Sequence, residues 1–154
     1  MEKSMMVEIL LVEDNLDDIM IARRALKEAH VMNKLWVVRD GQEAVDFLKR
    51  QGQYRDREPH LPGLILLDLN LPKKNGLEVL EEIKGDSVLK RIPVVMLTVS
   101  KREEDIARGY MNGCNSYIQK PVEFDRFVEV VKQIGLYWGL LNELPGGAEQ
   151  ENNE

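Results

Sequence analysis

The run LILLDLNLPKKNGLEVLEEIK, residues 64–84, decides the fold. Its first four residues, Leu64 to Leu67, are apolar without alternation. A strand with one wet face alternates apolar and polar residues; an unbroken apolar run marks a strand covered on both faces, as in a parallel sheet. Asp68 follows at the strand end. A helix is then expected to start near Asn75, because Leu77, Leu80 and Ile83 recur at helical spacing.

The same unit repeats outward along the chain. Strands are predicted over Val7–Val12, Leu35–Val38, Leu64–Leu67, Val94–Leu97 and Ser116–Ile118, with PVVML at 93–97 again apolar throughout. A first helix follows Asn15, a suitable N-cap, with Ile19, Ala22, Leu26 and Ala29 on one face. A second begins after Asp40-Gly41 and buries Ala44 and Leu48. The fourth opens on Ser100-x-x-Glu103, a capping box, and the fifth follows Pro121, a residue suited to a first helical turn. The order βαβαβαβαβα with right-handed crossovers gives an α/β open sheet with helices on both faces. Arg50–Pro62 reads as a long polar loop. One domain is expected over 1–144, and a disordered Gly-, Glu- and Asn-rich tail over 145–154.

Bulk properties exclude several classes. The 154 residues suit one domain. The net charge is −6 and Lys and Arg form no stripe, which argues against binding DNA or RNA. The single cysteine, Cys114, forms no disulfide within the chain and is expected to be a small buried apolar residue in a reducing compartment. No apolar run approaches the ~20 residues of a membrane helix, and the N-terminus lacks the shape of a signal peptide. A soluble, cytoplasmic protein is expected. His30 and His60 have no metal-ligand spacing and are read as surface residues.

Strands of a parallel sheet end on one edge, and ligands bind outside those ends. Glu13 and Asp14 follow the first strand, Asp68 the third, Thr98 the fourth and Lys120 the fifth. With strand order 2-1-3-4-5 the first and third strands are neighbours and their acids face each other. Two carboxylates ~4 Å apart repel by roughly 4 kcal/mol at an effective dielectric near 20. Lys120 supplies one positive charge and leaves the cluster negative. Oxygen ligands of this kind suit Mg²⁺. The expected ligands are Asp14, Asp68, Glu13 through water, and the backbone carbonyl of Asn70. Any one of these residues alone would be an ordinary cap or surface group; their convergence on one edge is what marks a site.

The runs ILLVEDN (9–15), LILLDLNLPKKNGLEVLEEIK (64–84), IPVVMLTVS (92–100) and SYIQKP (116–121) closely resemble the receiver domain of response regulators. The likeness extends from about Val7 to Trp138. It implies a flavodoxin-like, five-stranded parallel sheet with an extended C-terminal helix. It further implies that Asp68 is the phosphoacceptor, that Glu13 and Asp14 bind Mg²⁺, and that Thr98 contacts the phosphoryl group. By the same resemblance Lys120 neutralises that group, Lys120–Pro121 is cis, and Tyr117 is an aromatic switch that turns inward as Thr98 moves. Asn70 and Ser100 would tune the lifetime of the acyl phosphate. The phosphodonor would be a sensor histidine kinase. The stretch RQGQYRDREPHLPGLILLDLNLPKKNG (50–76) and the long last helix look like the stand-alone regulators that partner cyanobacterial phytochromes, so a phytochrome-like kinase is one expected partner. One departure is Val99, where the family mostly carries a smaller residue; its bulk bears on the path to Asp68.

No output domain is read after Leu144, so output is expected through a partner or self-association. Phe124, Phe127, Val128 and Val131 form one apolar face of the last helix. Val130, Ile134, Tyr137 and Leu141 form a second stripe, which needs a cover: a second copy in a homodimer, or the domain itself if the end of the helix folds over it. No enzyme activity is expected beyond the domain's own phosphorylation and autodephosphorylation. Two rivals are an aspartyl-phosphate phosphatase or phosphotransferase, and a degenerate receiver that only binds partners. The first needs an acid where Asn70 stands; the second fits a missing Asp68, Thr98 or Lys120, and all three are present.

Overall fold

The computed structural model describes residues 7–29, 32–110 and 116–133. Five strands form one sheet: β1 (Val7–Val12), β2 (Met32–Val38), β3 (Leu64–Asp68), β4 (Val94–Thr98) and β5 (Ser116–Gln119). They run parallel in the order β2-β1-β3-β4-β5. The helices are α1 (Leu16–Ala29), α2 (Gly41–Lys49), α3 (Gly76–Lys84), α4 (Lys101–Tyr110) and α5 (Phe124–Gln133). The flavodoxin-like architecture expected from the sequence is the one observed.

Successive strand residues point to opposite faces, so one strand feeds two cores. Ile9, Leu11, Leu64, Leu66, Val95 and Leu97 pack with α1 and α5. Leu10, Val12, Ile65, Leu67, Val94 and Met96 pack with α2 and α3. All five residues of β3 are buried, as are all five of β4. Truncating a fully buried leucine such as Leu66 to alanine in such a place costs about 2–5 kcal/mol.

Register sets the site. Val12 pairs with Leu67 across β1 and β3, so the next residues along, Glu13 and Asp68, come side by side. Asp68 pairs with Leu97, one residue before Thr98. Behind the site, α3 starts on an Asn75 cap with a full capping box to Glu78. Gly76 is obligatory there: a Cβ would lie 2.3 Å from the Asp68 carbonyl oxygen and 2.8 Å from Leu69 Cα.

Several expectations need correction. β2 starts earlier, at Met32, because its N-terminal half pairs with β1. β3, β4 and β5 each extend one residue further, to Asp68, Thr98 and Gln119. Pro121 does not open the last helix; α5 begins at Phe124, with the Phe127 amide bonded to the Glu123 carbonyl, and Lys120–Pro121 is cis. The buried face also differs from the expected one. Phe127, Val130 and Val131 are core, so Val130 leaves the second stripe, while Phe124 is exposed. Segment 50–62 is less irregular than a polar loop: a 3-10 turn at Gly52–Tyr54 precedes an Arg57 guanidinium stacked 4.0 Å from the Phe47 ring. His60 is exposed, as expected. Cys114, His30, Ile134, Tyr137, Leu141 and the 145–154 tail lie outside the described residues. No described helix is long and apolar enough to cross a membrane.

Candidate functional site

Among the described residues the buried polar side chains are Glu13, Asp68 and Thr98, and all three sit at the carboxyl ends of adjacent strands. Burying a charged group is costly unless it is paired, so their pairing is informative. Lys120 Nζ lies 3.1 Å from Glu13 Oε1, 3.3 Å from Asp68 Oδ2 and 3.1 Å from Asp18 Oδ2. Its side chain is only 10% exposed. The Lys120 amide donates to the Thr98 carbonyl oxygen, which ties the end of β5 to the end of β4. The Asn70 amide donates to Asp68 Oδ1 at 3.3 Å.

One ammonium among three carboxylates leaves a net charge of −2 on these four groups, and Asp14 adds another acid at the rim. The imbalance shows in the titration of Asp68. Burial pushes its carboxyl up, Glu13 adds repulsion, Lys120 pulls back, and the result is a pKa of about 7. Burial works against the Lys120 ammonium, but Asp68, Asp18 and Glu13 together hold it above its usual value.

Thr98 is fully buried, and its Oγ1 has no hydrogen-bond partner among the described residues. A buried hydroxyl without a partner costs roughly 1–3 kcal/mol, and groups of this kind in a native structure call for an explanation. An additional acceptor beside Asp68 would supply one.

The structure brings Glu13, Asp68, Thr98 and Lys120 to one edge, as the sequence predicts. Of the expected metal ligands, Glu13 and Asp68 converge, while Asp14 is exposed with its carbonyl oxygen bonded to Arg39 at 2.8 Å. Among the described residues no three acids meet as a ready-made metal cage; the Lys120 ammonium takes the central position between Glu13 and Asp68. The donor chemistry, hard oxygens with excess negative charge, nonetheless fits a hard divalent cation. Tyr117 is already buried, packed in the α2/α3-side core. Val99 is 56% exposed. Ser100 caps α4, its Oγ accepting from the Glu103 amide at 3.1 Å, but only half the capping box forms: the Glu103 carboxylate accepts from the Val99 amide, not from that of Ser100.

Two residues escaped the sequence reading. Asp18 joins the Lys120 cluster from the first turn of α1, four residues after Asp14. Glu103 reaches across to Asn70, its Oε2 accepting from Asn70 Nδ2 at 2.8 Å. Acids in a first helical turn are common for dipole reasons alone, so Asp18 does not stand out, and the acidic run EDNLDD, residues 13–18, is its available signal; Glu103 reads as a capping-box partner, a role that does not point to Asn70.

Residues 9–132 match the family model of the response regulator receiver domain. Response regulator Rcp1 of Synechocystis sp. is 45% identical over 130 residues, covering 84% of this chain and 87% of that protein. A Mn(2+)-bound structure of Rcp1 superposes with a TM-score of 0.68 at 43% identity, over 86% of this chain and 94% of that one. The bacteriophytochrome response regulator RtBRR gives a TM-score of 0.83 at 47% identity, over 93% and 86% of the two chains. The phosphorylated cyanobacterial phytochrome response regulator RcpA gives 0.70 at 46% identity, over 86% and 94%. Parallel strand order, an acidic carboxyl edge and a matched stretch of this length lead to one assignment: this chain belongs to the response regulator receiver domain family of two-component signalling.

Proposed function

We propose that the chain is a phosphorylation switch whose acceptor is Asp68. The observation that carries this reading is the pairing of the buried Asp68 carboxylate with Lys120 beside the unpartnered Thr98 hydroxyl. An Asp68 carboxylate oxygen attacks the phosphorus of a phosphohistidine on a sensor kinase. The P–N bond breaks, the imidazole leaves with the bonding electron pair and takes up a proton, and an acyl phosphate remains. Lys120, already 3.3 Å from Asp68, is positioned to neutralise the arriving phosphoryl oxygens. Thr98 Oγ1 donates to one of those oxygens and thereby gains the partner it lacks. Asp18 and Glu13 orient the ammonium. Phosphoryl transfer through a loose transition state needs chiefly position and positive charge, and these residues supply both.

Mg²⁺ held by Asp14, Asp68, the Asn70 carbonyl and, through water, Glu13 would add the positive charge that Lys120 alone does not provide. The Mn(2+)-bound form of the relative Rcp1 supports divalent-ion binding in general. Water later attacks the acyl phosphate, returning carboxylate and inorganic phosphate, with Asn70 and Ser100 tuning the rate. Beyond this self-directed chemistry the chain is not an enzyme. A phosphatase needs a general acid two residues past its nucleophile; here Asn70 stands there, with its amide turned to Glu103.

Similarity to RtBRR and RcpA, both phytochrome response regulators, favours a phytochrome-like kinase as the partner. Phosphorylation adds up to two negative charges at the edge and biases the surface of α4, β5 and α5, with Thr98 and Tyr117 as the switch pair. Since Tyr117 is already inward, the modification would hold that position rather than create it. Output passes to a partner or to a second copy through the C-terminal helix, in the cytoplasm and without nucleic acid or membrane contact. Incubation with acetyl phosphate, with and without Mg²⁺, followed by intact mass, tests the acceptor. The expected result is one phosphate, dependent on the metal and lost in Asp68→Asn. Phosphate retained by that variant would reject the reading. Sizing of the phosphorylated protein tests the dimer, and monomeric elution would count against it.

A further inference from the structure

Two loops follow the strand ends that carry Asp68 and Thr98 and form the lips of the site: residues 69–75 after β3, and residues 99–100 between β4 and α4. A single side chain joins them. Glu103 Oε2 accepts from Asn70 Nδ2 on the first lip at 2.8 Å, and Glu103 Oε1 accepts from the Val99 amide on the second at 2.9 Å. Asn70 in turn donates its own amide to Asp68 Oδ1. An unbroken line of hydrogen bonds therefore runs from the acceptor carboxylate to the first turn of α4.

We propose that Glu103 is a positioning residue that clasps the two lips together and limits the access of phosphodonor and water to Asp68. The proposal rests on the phosphoacceptor reading above. Three observations carry it. First, the two Glu103 oxygens are divided between the lips, whereas a plain capping box would return the carboxylate to the amide of the cap residue itself; here Ser100 caps, and Glu103 bonds Val99 instead. Second, both bonds have a carboxylate acceptor, which makes them stronger than neutral bonds. Third, Glu103 places a negative charge one hydrogen-bonded residue away from Asp68, and an anionic donor must approach against it. An added phosphoryl charge on Asp68 repels Glu103, so modification loosens the clasp and admits water. The lifetime of the modified state thus depends on a residue three positions beyond Ser100, on a different element from Asn70.

The test is a double-mutant cycle on full-length protein. Phosphate uptake from acetyl phosphate and loss of the acyl phosphate are timed by intact mass for wild type, Asn70→Ala, Glu103→Ala and the pair. Glu103→Ala is expected to accelerate both steps by at least about threefold, and the pair to be no faster than the faster single variant, because contacting residues couple. Glu103→Gln keeps an acceptor oxygen and is expected to restore at least half of the lost restraint. Asn70→Ala leaves α4 capping intact and keeps the cycle informative if Glu103→Ala frays the helix. A phosphorylated wild type beside an unchanged Glu103→Ala, or multiplicative effects in the pair, would overturn the clasp alone. A wild type that takes no phosphate would overturn the acceptor reading and the clasp with it.

Discussion

The sheet has two polar rims, and they treat their polar groups in opposite ways. At the carboxyl rim three carboxylates surround one ammonium, and a buried threonine hydroxyl lacks a partner. At the amino rim the segment between α2 and β3 is just as polar, yet its groups close on one another. Arg57 Nη2 donates to the Phe47 carbonyl at 2.7 Å and Nη1 to the His60 carbonyl at 2.9 Å; Arg50 Nε donates to the Arg57 carbonyl. Glu8 accepts from Trp36 Nε1 at 2.9 Å and pairs with His60. Among the described residues, Arg57 Nε is the one buried side-chain donor of this rim without a partner. The lesson is a division of labour within one domain. Satisfied groups hold the amino rim in place, while the carboxyl rim is left short of positive charge and of one acceptor, which is what a phosphoryl group and a cation bring.

The comparison breaks most sharply at Asp68. Asp68→Asn should abolish phosphate gain and at the same time stabilise the fold. The carboxyl has a folded pKa of about 7 against an ordinary value of 3.8. A raised value means that the folded state prefers the proton, so the stability of the wild type falls as pH rises from near 4 through 7. The variant should therefore melt higher at pH 8, by an amount on the order of 2 kcal/mol, and the two should converge near pH 4. Thermal melts across pH without divalent ions check this; a gap that widens toward acid would contradict it.

The amino rim should give the opposite result. Arg57→Ala removes two donors from backbone carbonyls and the cover over Phe47, and should destabilise by about 2–4 kcal/mol in urea unfolding. Its rate of phosphorylation should match wild type at a temperature where both are folded. A variant that lost phosphorylation without losing stability would erase the distinction between the rims.

Thr98→Val sharpens the contrast at smaller scale. Replacing an unpartnered buried hydroxyl with a methyl of similar shape should raise stability by about 1 kcal/mol in the unmodified protein. The gain should vanish or reverse once phosphate is attached. Smallest of all, Asp18→Asn removes one of three acids from Lys120 and should slow phosphorylation only about threefold, roughly 0.6 kcal/mol in activation free energy, read from uptake kinetics with acetyl phosphate.

Much of this was legible in the chain itself. The unbroken run Leu64–Leu67, followed by a separate helical pattern, fits a strand covered on both faces, and the acid after it then lies on the binding edge. Glu13, Thr98 and Lys120 followed by the same logic, since each stands at a strand end. What was not legible has physical reasons. The Glu103–Asn70 bond spans 33 residues between the first turn of α4 and a loop, and leaves no periodic trace. Asp18 looks like any acid in a first helical turn. Pro121 suits a first helical turn although α5 opens only at Phe124, and a helix apolar over a wide arc does not reveal which stripe is core: Val130 packs with Phe127 and Val131. In segment 50–62 the order comes from side chains bonding to carbonyls, and polar composition does not reveal it.

Gly76 carries a last consequence. Only a hydrogen atom fits between the start of α3 and the carbonyl of Asp68, so the helix start sits directly against the end of β3. Under the phosphorylation reading, a shift of Asp68 toward α3 would meet that contact, which favours movement toward β4 and α4. A methyl group that is missing would then bias the direction in which the domain signals.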